Sequence, residues 1–309
     1  MKILYVGNLS DIFCLRWALW FKEHGVNVCA VNCHPITRHS ILSLYETIRT
    51  FKPDILHAHY AGQPGIAATI MHFHPLVITI HGSDVLLTKG WKRIAVRFTL
   101  VLADLITTDA HHIYRKVTEE WKINRDKVKM INFGVDLNRF QPYETLRTEK
   151  PHILFRTGPD DVIYDPETAR KAMTIVESRI SGVTWEFIKD VPEEDMPRFL
   201  NKAWVYVSTA TSDAGISSTT AEAMACGIPA IVTSAADNEF WVQPYYRFAP
   251  GDHKTLAARI IELIGNESER KKESVGNRSI VERSNDINRE MSKMQKLYTE
   301  VIEHGKQKR

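Results

Sequence analysis

Short apolar runs alternate with amphipathic segments along the chain, and this alternation is the main structural signal of the sequence. Runs such as Ile3–Val6, Val26–Val31 and Leu105–Thr108 have the length of buried strands. Each is followed by a segment with the 3.6-residue period of a helix. Strands that alternate with helices form parallel sheets covered by helices on both faces. The pattern therefore predicts an α/β protein.

One segment breaks this alternation and divides the chain. Residues 141–151 are polar, contain two prolines and have no periodicity, so we predict a linker there. A second α/β unit restarts at His152–Phe155, and long charged helices close the chain, at about 252–264 and 285–304. The predicted organisation is a first domain over 1–145, a second over 151–270, and C-terminal helices over 271–309 that pack back toward the first domain.

The segment from Ser212 to Pro229 joins a Gly/Ser/Thr loop to a short helix. Its four consecutive hydroxyls, Ser217 to Thr220, suit the N-cap and first turn, where unpaired N–H groups and the helix dipole favour an anion. Glu222 lies one turn further on among alanines, where a carboxylate needs a partner. A nucleotide would provide the phosphate and a ribose diol for Glu222. The alternative is an ordinary helix start with an exposed glutamate.

Composition narrows the class of protein. The chain has 309 residues, 44% of them apolar and 25% charged, which suits two globular cores of about 150 residues each. Residues 1–150 hold 19 Lys/Arg against 13 Asp/Glu, an excess too modest to indicate nucleic acid without interleaved arginines and aromatics. With no signal peptide and no apolar run of the ~20 residues that a membrane span needs, we expect a cytoplasmic protein. The four cysteines lack metal-ligand spacing and are interpreted as reduced core thiols.

Three further segments follow predicted strands in the first half. They are ILHAHY at 55–60, TIHGSD at 79–84 and INFGVD at 131–136. Together with the helix at Glu222, their order and spacing over residues 1–245 resemble family-four retaining glycosyltransferases. The resemblance implies the GT-B fold, in which two Rossmann-like domains face a cleft. It also implies a nucleoside-diphosphate sugar as donor substrate, a glycan or lipid-linked acceptor, and no cofactor or metal.

The resemblance implies roles for residues on the donor side. Glu222 matches the glutamate that hydrogen-bonds the donor ribose. Residues of the preceding loop and helix start match those around the diphosphate and sugar: Gly215, Ile216, Ser217 and Ser218.

Five other residues are candidates for the reaction. By resemblance, His81 lies beside the reacting sugar, Arg156 compensates the leaving diphosphate, and Gly7 lets backbone approach the substrate after the first strand. We expect His59 and Asp84 to bind the acceptor, although Asp84 could instead cap the helix after it. Independently of any family, the departure of a diphosphate develops negative charge that N–H groups, hydroxyls and a guanidinium stabilise.

The sequence also departs from the family pattern. Ala214 stands eight residues before Glu222, where an acid is expected, and Asp213 is the candidate catalytic substitute. The loop after Arg156 lacks the lysine that the family pattern has there, and residues 159–165 are acidic. The short distance from Ile180 to the next predicted strand leaves no room for a further strand-helix unit, so a shortened second domain is expected.

These departures keep two other functions open. One is a binding or regulatory protein that has the GT-B fold but has lost turnover. The other is a metal hydrolase, because His57 and His59 share one face of a strand and could bind zinc together with His81. No acidic ligand follows at hydrolase spacing, since residue 61 is alanine.

The helix expected after the 79–84 motif combines aromatic, apolar and basic residues. They are Trp91, Lys92, Arg93, Arg97 and Phe98. This mixture is typical of a surface helix on anionic lipid, which would place the protein at the inner face of a membrane. The alternative is a solvated amphipathic helix whose apolar face serves only the core.

Overall fold

The computed structural model describes residues 1–9, 12–158 and 160–307. The chain forms two compact units: Met1–Phe133 together with Arg289–Arg309, and Gly134–Asn288. Each unit contains one sheet in which every strand pairing is parallel, as the alternation of strands and helices predicted.

The sheet of the first unit has six strands in the order β2-β1-β3-β4-β5-β6. They are β1 (Lys2–Gly7), β2 (Asn27–Asn32), β3 (Ile55–His59), β4 (Leu76–Thr79), β5 (Leu105–Thr108) and β6 (Val128–Met130). Strands β3, β4 and β5 are buried along their whole length, which explains their continuous apolar runs.

The first unit is covered by α1 (Ile12–Glu23), α2 (Arg38–Phe51), α3 (Gln63–Ile70), α4 (Ser83–Leu86), α5 (Gly90–Leu102) and α6 (His111–Arg115). A π-helical turn over Lys116–Glu120 continues α6.

The last helix, α13 (Ile287–Gln307), lies almost entirely within the first unit. Met291 and Met294, which share one side of this helix, are buried. Tyr298 reaches into the sheet, where its hydroxyl lies 3.0 Å from the Tyr5 hydroxyl. The C-terminal segment is therefore part of the core of the unit that the N-terminus begins.

The sheet of the second unit has five strands in the order β11-β10-β9-β7-β8. They are β7 (His152–Phe155), β8 (Thr184–Phe187), β9 (Val205–Ser208), β10 (Ala230–Thr233) and β11 (Arg247–Phe248). Its helices are α7 (Asp161–Tyr164), α8 (Pro166–Glu177), α9 (Met196–Leu200), α10 (Ser218–Ala225), α11 (His253–Gly265) and α12 (Glu267–Ser284).

Helix α12 was missed by hydrophobic periodicity. Its buried positions follow a helical spacing, but most of them are polar: Arg270, Glu273, Asn277 and Val281. The Arg270 guanidinium donates to the carbonyl of Leu263 at 2.7 Å, which satisfies the last turn of α11. Because the buried side of α12 is mostly polar, the helix packs against its unit although the sequence shows no hydrophobic period there.

Two bulk expectations can be compared with the structure. The four cysteines are free thiols, as predicted, and all except the partly exposed Cys29 are buried. Within the described residues, none of the helices combines the length and the apolar character that crossing a membrane requires.

Candidate active site

Three candidate residues of the first unit lie at the carboxyl edge of its sheet. Gly7 ends β1, His59 ends β3 and His81 follows β4 by two residues. Because β1, β3 and β4 are neighbours, their ends meet at one place, where open parallel sheets bind ligands. The order of the strands therefore brings these candidates together.

His59 and His81 contact each other directly. His59 Nδ1 lies 3.0 Å from His81 Nε2. The His81 ring stacks on Tyr60, with centroids 4.0 Å apart and planes inclined by 19°. On another side its centroid is 5.2 Å from that of Phe133. The orientation of His81 is thus set by one hydrogen bond and two aromatic rings.

A buried polar network lies beneath this pair. The rings of His57 and His59 stack at 4.7 Å. His57 Nδ1 is 2.5 Å from the hydroxyl of Tyr298, and His57 Nε2 is 2.8 Å from Thr79 Oγ1. We refer to His57, His59 and His81 as the histidine cluster. It joins the sheet edge to helix α13.

The histidine cluster is neutral at neutral pH. Burial, aided by the neighbouring histidines, lowers the pKa of His57 and of His59 well below 6.5. Burial and the proximity of His57 lower the pKa of His81 to about 3. The cluster therefore acts through hydrogen bonds and not through positive charge.

The hydrogen positions follow from the one nitrogen that has no partner. Among the described residues, His59 Nε2 is buried and makes no hydrogen bond. A buried N–H without an acceptor is rarer than a buried acceptor without a donor. We therefore assign the hydrogen of His59 to Nδ1, from which it donates to His81 Nε2. The hydrogen of a neutral His81 is then on Nδ1.

The cluster is not arranged as a metal site. Both ring nitrogens of His57 face hydroxyls, and His59 Nδ1 and His81 Nε2 lie within hydrogen-bond distance of each other. Within the described ranges, no group of three His, Cys, Asp or Glu residues is placed to bind a metal. The geometry therefore does not support the zinc-hydrolase hypothesis.

Asp84 joins two loops at the same edge. Its carboxylate accepts from the backbone N–H of Ala61 at 2.7 Å and of His81 at 3.3 Å. Burial raises its pKa to about 6, although these N–H donors oppose the rise. Asp84 also lines a cavity of about 360 Å³ together with Asn8, His34, Tyr60, Gln63 and Ser83. A volume of this size falls at the lower end of those of small-molecule sites.

Gly7 is required by the packing of α1 against β1. A Cβ atom added to Gly7 would lie 2.8 Å from Cys14 Sγ, a distance that real Cβ contacts essentially never show. The glycine thus allows close packing at the end of the first strand.

In the second unit, Arg156 and Asp213 form an ion pair at the carboxyl edge of the sheet. Arg156 directly follows β7, Asp213 lies in the loop after β9, and these strands are neighbours. Arg156 Nη1 donates to Asp213 Oδ2, and the guanidinium carbon lies 4.9 Å from the ring centroid of Tyr164. Burial works to lower the pKa of Arg156, but Asp213 together with Tyr206 and Tyr164 outweighs it and the pKa is raised. The cation is permanent and already partly neutralised.

Tyr164 closes over Arg156 because Gly158 leaves it room. A Cβ atom at Gly158 would lie 2.1 Å from the Tyr164 ring. Pro159, in the acidic segment noted in the sequence, falls outside the described residues.

Helix α10 begins as the sequence predicted. Ser217 is its N-cap, and Ser217 Oγ accepts from the N–H of Thr220 at 3.1 Å. The Thr220 hydroxyl in turn lies 3.1 Å from that of Tyr206. The Ser217 hydroxyl is therefore used within the protein.

The end of the loop before α10 and the glutamate of this helix, Glu222, are also buried. Gly215 and Ile216 are buried, and Ser218 is partly exposed. Glu222 is only 3% exposed, so the alternative of an exposed glutamate is wrong.

Sequence reasoning missed the aromatic side chains that hold these groups. Tyr60 directly follows the His-Ala-His strand and could have been found from that position. Tyr164 and Tyr298 gave no local signal, because their partners lie far away along the chain.

Two family profiles match the sequence. Glycosyltransferase Family 4 matches residues 13–139, and Glycosyl transferases group 1 matches residues 162–279. No curated protein matches the sequence.

Solved structures share the fold over nearly the whole chain. Sucrose-phosphate synthase from Thermosynechococcus elongatus has a TM-score of 0.78 and 13% identity, covering 98% of this chain and 100% of that one. A glycosyltransferase from Rickettsia africae has a TM-score of 0.77 and 14% identity, with coverages of 97% and 98%. HepE from Anabaena, in complex with UDP and glucose, has a TM-score of 0.78 and 13% identity, with coverages of 97% and 100%. Together, the profiles and the two parallel-sheet units show that the chain belongs to the family-four glycosyltransferases and has the GT-B fold.

Proposed function

We propose that the protein transfers a sugar from a nucleoside diphosphate to a hydroxyl of a glycan or lipid-linked acceptor, with retention of configuration and without metal or cofactor. The observation that carries the proposal is the buried Glu222 one turn inside a capped helix start, on the same sheet edge as Arg156, whose side chain is 15% exposed. By the family resemblance, a glutamate at this position hydrogen-bonds the donor ribose, and a ribose diol offers two hydroxyl donors to a carboxylate.

On the donor side, the loop before α10 would hold the diphosphate. Backbone N–H groups of Gly215, Ile216, Ser217 and Ser218 would face the phosphate oxygens, helped by the positive end of the helix dipole. Arg156 would stabilise the charge that develops as the diphosphate leaves. Asp213, which now pairs with Arg156, would turn to the sugar once phosphate replaces it as the partner of the guanidinium.

On the acceptor side, neutral His81 would orient the reacting sugar and Gly7 would admit it to the sheet edge. His59 is fully buried, so we propose that it acts through His81 and not by direct contact with the acceptor. Asp84 and the cavity beside it would receive the acceptor. In the transfer, the bond from the anomeric carbon to the diphosphate oxygen breaks and a bond to the acceptor oxygen forms. The proton of the acceptor hydroxyl leaves with the nucleoside diphosphate.

The structural neighbours suggest which donor to test first. HepE was crystallised with UDP and with UDP-glucose, and TarM from S. aureus with UDP and the glycan Fondaparinux. We therefore propose uracil as the base of the donor and a glycan hydroxyl as the acceptor.

Calorimetry tests the donor site. UDP, GDP, ADP and CDP are titrated, without metal, into the parent protein, Glu222→Gln and the matched control Glu194→Gln, an exposed glutamate of the same unit. A charge-assisted hydrogen bond contributes about 1.5–3 kcal/mol, so Glu222→Gln is expected to weaken binding roughly ten- to a hundredfold. The control should bind like the parent. Equal affinities for all three proteins would refute the assignment of Glu222.

A second candidate function is a binding protein without turnover. It is favoured by the ion pair between Arg156 and Asp213, which already neutralises the cation needed for the leaving group, and by alanine at residue 214. Incubation with UDP-sugars and a mixture of glycan acceptors separates the two functions. Product with the donor's anomeric configuration, seen by NMR, supports retaining transfer. UDP binding without transfer or donor hydrolysis supports the binding protein.

A further inference from the structure

Helix α5 exposes an apolar stripe to solvent. Four of its side chains are far more exposed than apolar residues usually are: Trp91 (72%), Ile94 (72%), Phe98 (59%) and Val101 (43%). Their spacing of three and four residues places them on one side of the helix. Leu87, just before the helix, is 61% exposed and adds to this apolar surface.

The core does not account for this stripe. Helix α5 packs into its unit through other side chains, namely Val96, Thr99 and Leu100, which are almost completely buried. On a helical projection these lie opposite the exposed side. The helix therefore has two apolar sides, and the view that its apolar face serves only the core is wrong. A contiguous exposed apolar patch marks an interaction surface.

The charged side chains of the helix itself have one sign. Residues 85–103 contain no Asp or Glu but contain Lys89, Lys92, Arg93 and Arg97, all of them exposed. The arginines are held on one flank of the helix, since the Arg93 guanidinium lies 5.3 Å from the Trp121 ring centroid and Arg97 Nε donates to the Trp121 carbonyl at 2.8 Å. An apolar stripe bordered by cations is complementary to a surface that is apolar inside and anionic at its boundary.

We propose that α5 docks the protein on an anionic membrane surface. The stripe enters the boundary between headgroups and acyl chains, and the flanking cations meet lipid phosphates. A second copy of the chain fits less well, because symmetric pairing of two α5 helices would bring cations against cations with no carboxylate on either helix. Docking is independent of the proposed transfer reaction, since it requires neither donor nor acceptor.

Vesicle co-sedimentation of the full chain tests the proposal. Vesicles of phosphatidylcholine alone and with about a third phosphatidylglycerol are compared, and the oligomeric state is measured by light scattering without lipid. The stripe variant is Trp91→Ser/Phe98→Ser, and the charge variant is Lys89→Gln/Lys92→Gln. The matched control is Leu42→Ser/Tyr45→Ser on α2, where the two side chains are 60% and 51% exposed. All these positions are exposed, so circular dichroism should show an intact fold.

The parent protein is expected to bind the anionic vesicles and not the neutral ones. The stripe variant should bind at least about tenfold more weakly, and the charge variant about fivefold more weakly for each lysine removed. The α2 control should bind like the parent. Absence of binding to anionic vesicles, or equal binding by the stripe variant, would overturn the proposal. So would a parent dimer that the stripe variant dissociates, because the stripe would then be covered by a second copy.

Discussion

The hydrogen bond from His59 to His81 gives the sharpest test of how the candidate active site is held. His59→Phe keeps a ring against Trp17 and His57 but removes the donor at 3.0 Å from His81 Nε2. His59→Asn loses the ring but keeps an amide N–H near the place of Nδ1. The pair therefore separates loss of the hydrogen bond from loss of packing.

The expected effect on the rate follows from the loss of the His59 donor to His81 Nε2 in His59→Phe. Leaving a buried polar group without its partner costs about 1–3 kcal/mol. If that energy holds His81 in the transition state, kcat for sugar transfer falls about 5- to 150-fold in His59→Phe. The KM for the donor stays nearly constant, because the proposed nucleotide-binding residues belong to the other unit. His59→Asn should recover much of the rate.

Nitrogen-15 NMR of the histidine rings reports the same bond without turnover. In the parent, His81 is expected to carry its hydrogen on Nδ1 alone, and in His59→Phe the two tautomers should mix. The matched control is His57→Phe, which removes a buried histidine that makes no hydrogen bond to His81. It should lose stability but keep the tautomer and kcat. An unchanged tautomer in His59→Phe, or equal loss of activity in the Phe and Asn variants, would refute the reasoning.

Three further predictions concern charge, buried hydroxyls and pH. Asp213→Asn frees Arg156 for phosphate and removes about 1 kcal/mol of repulsion between the carboxylate and the diphosphate, so UDP binding should tighten about fivefold while transfer slows. Calorimetry with the exposed control Asp195→Asn checks this, and weaker binding of UDP by Asp213→Asn would contradict it. Tyr298→Phe removes the hydroxyl that partners the Tyr5 hydroxyl and His57 Nδ1, at about 1–3 kcal/mol for each group. Urea unfolding should show a smaller additional loss when Tyr5→Phe is combined with it, and full additivity would exclude the bond between the two tyrosines. Between pH 7 and 5 the unfolded chain protonates its histidines and the native cluster does not, so each cluster histidine should lower the free energy of unfolding by up to about 2 kcal/mol. Asp84 acts in the opposite direction. Because its pKa is raised in the native state, the native carboxyl takes up its proton first, which adds back about 1 kcal/mol. Urea unfolding at both pH values should show a smaller loss in His57→Phe, and an identical loss would argue against the neutral cluster.

Local patterns in the sequence predicted much of the fold. Apolar runs and helical periods located the strands, the parallel sheets and the start of α10 at Ser217, because period and capping depend on residues a few positions apart. The same approach missed α12, whose buried stripe is polar. The domain limits at 1–145, 151–270 and 271–309 stay a prediction.

The sequence also placed the candidate site residues at strand ends and helix starts, but it did not determine which side chains would meet. Asp213 meets Arg156 because β9 lies beside β7, and Tyr298 meets His57 because α13 returns to the first sheet. These contacts join residues 57 and 241 positions apart. No local pattern encodes them, since strand order and helix docking are set by the burial of the whole chain. The sequence by itself therefore determined the types of chemical group at the sheet edges, and the tertiary structure decided how those groups are paired, buried and protonated.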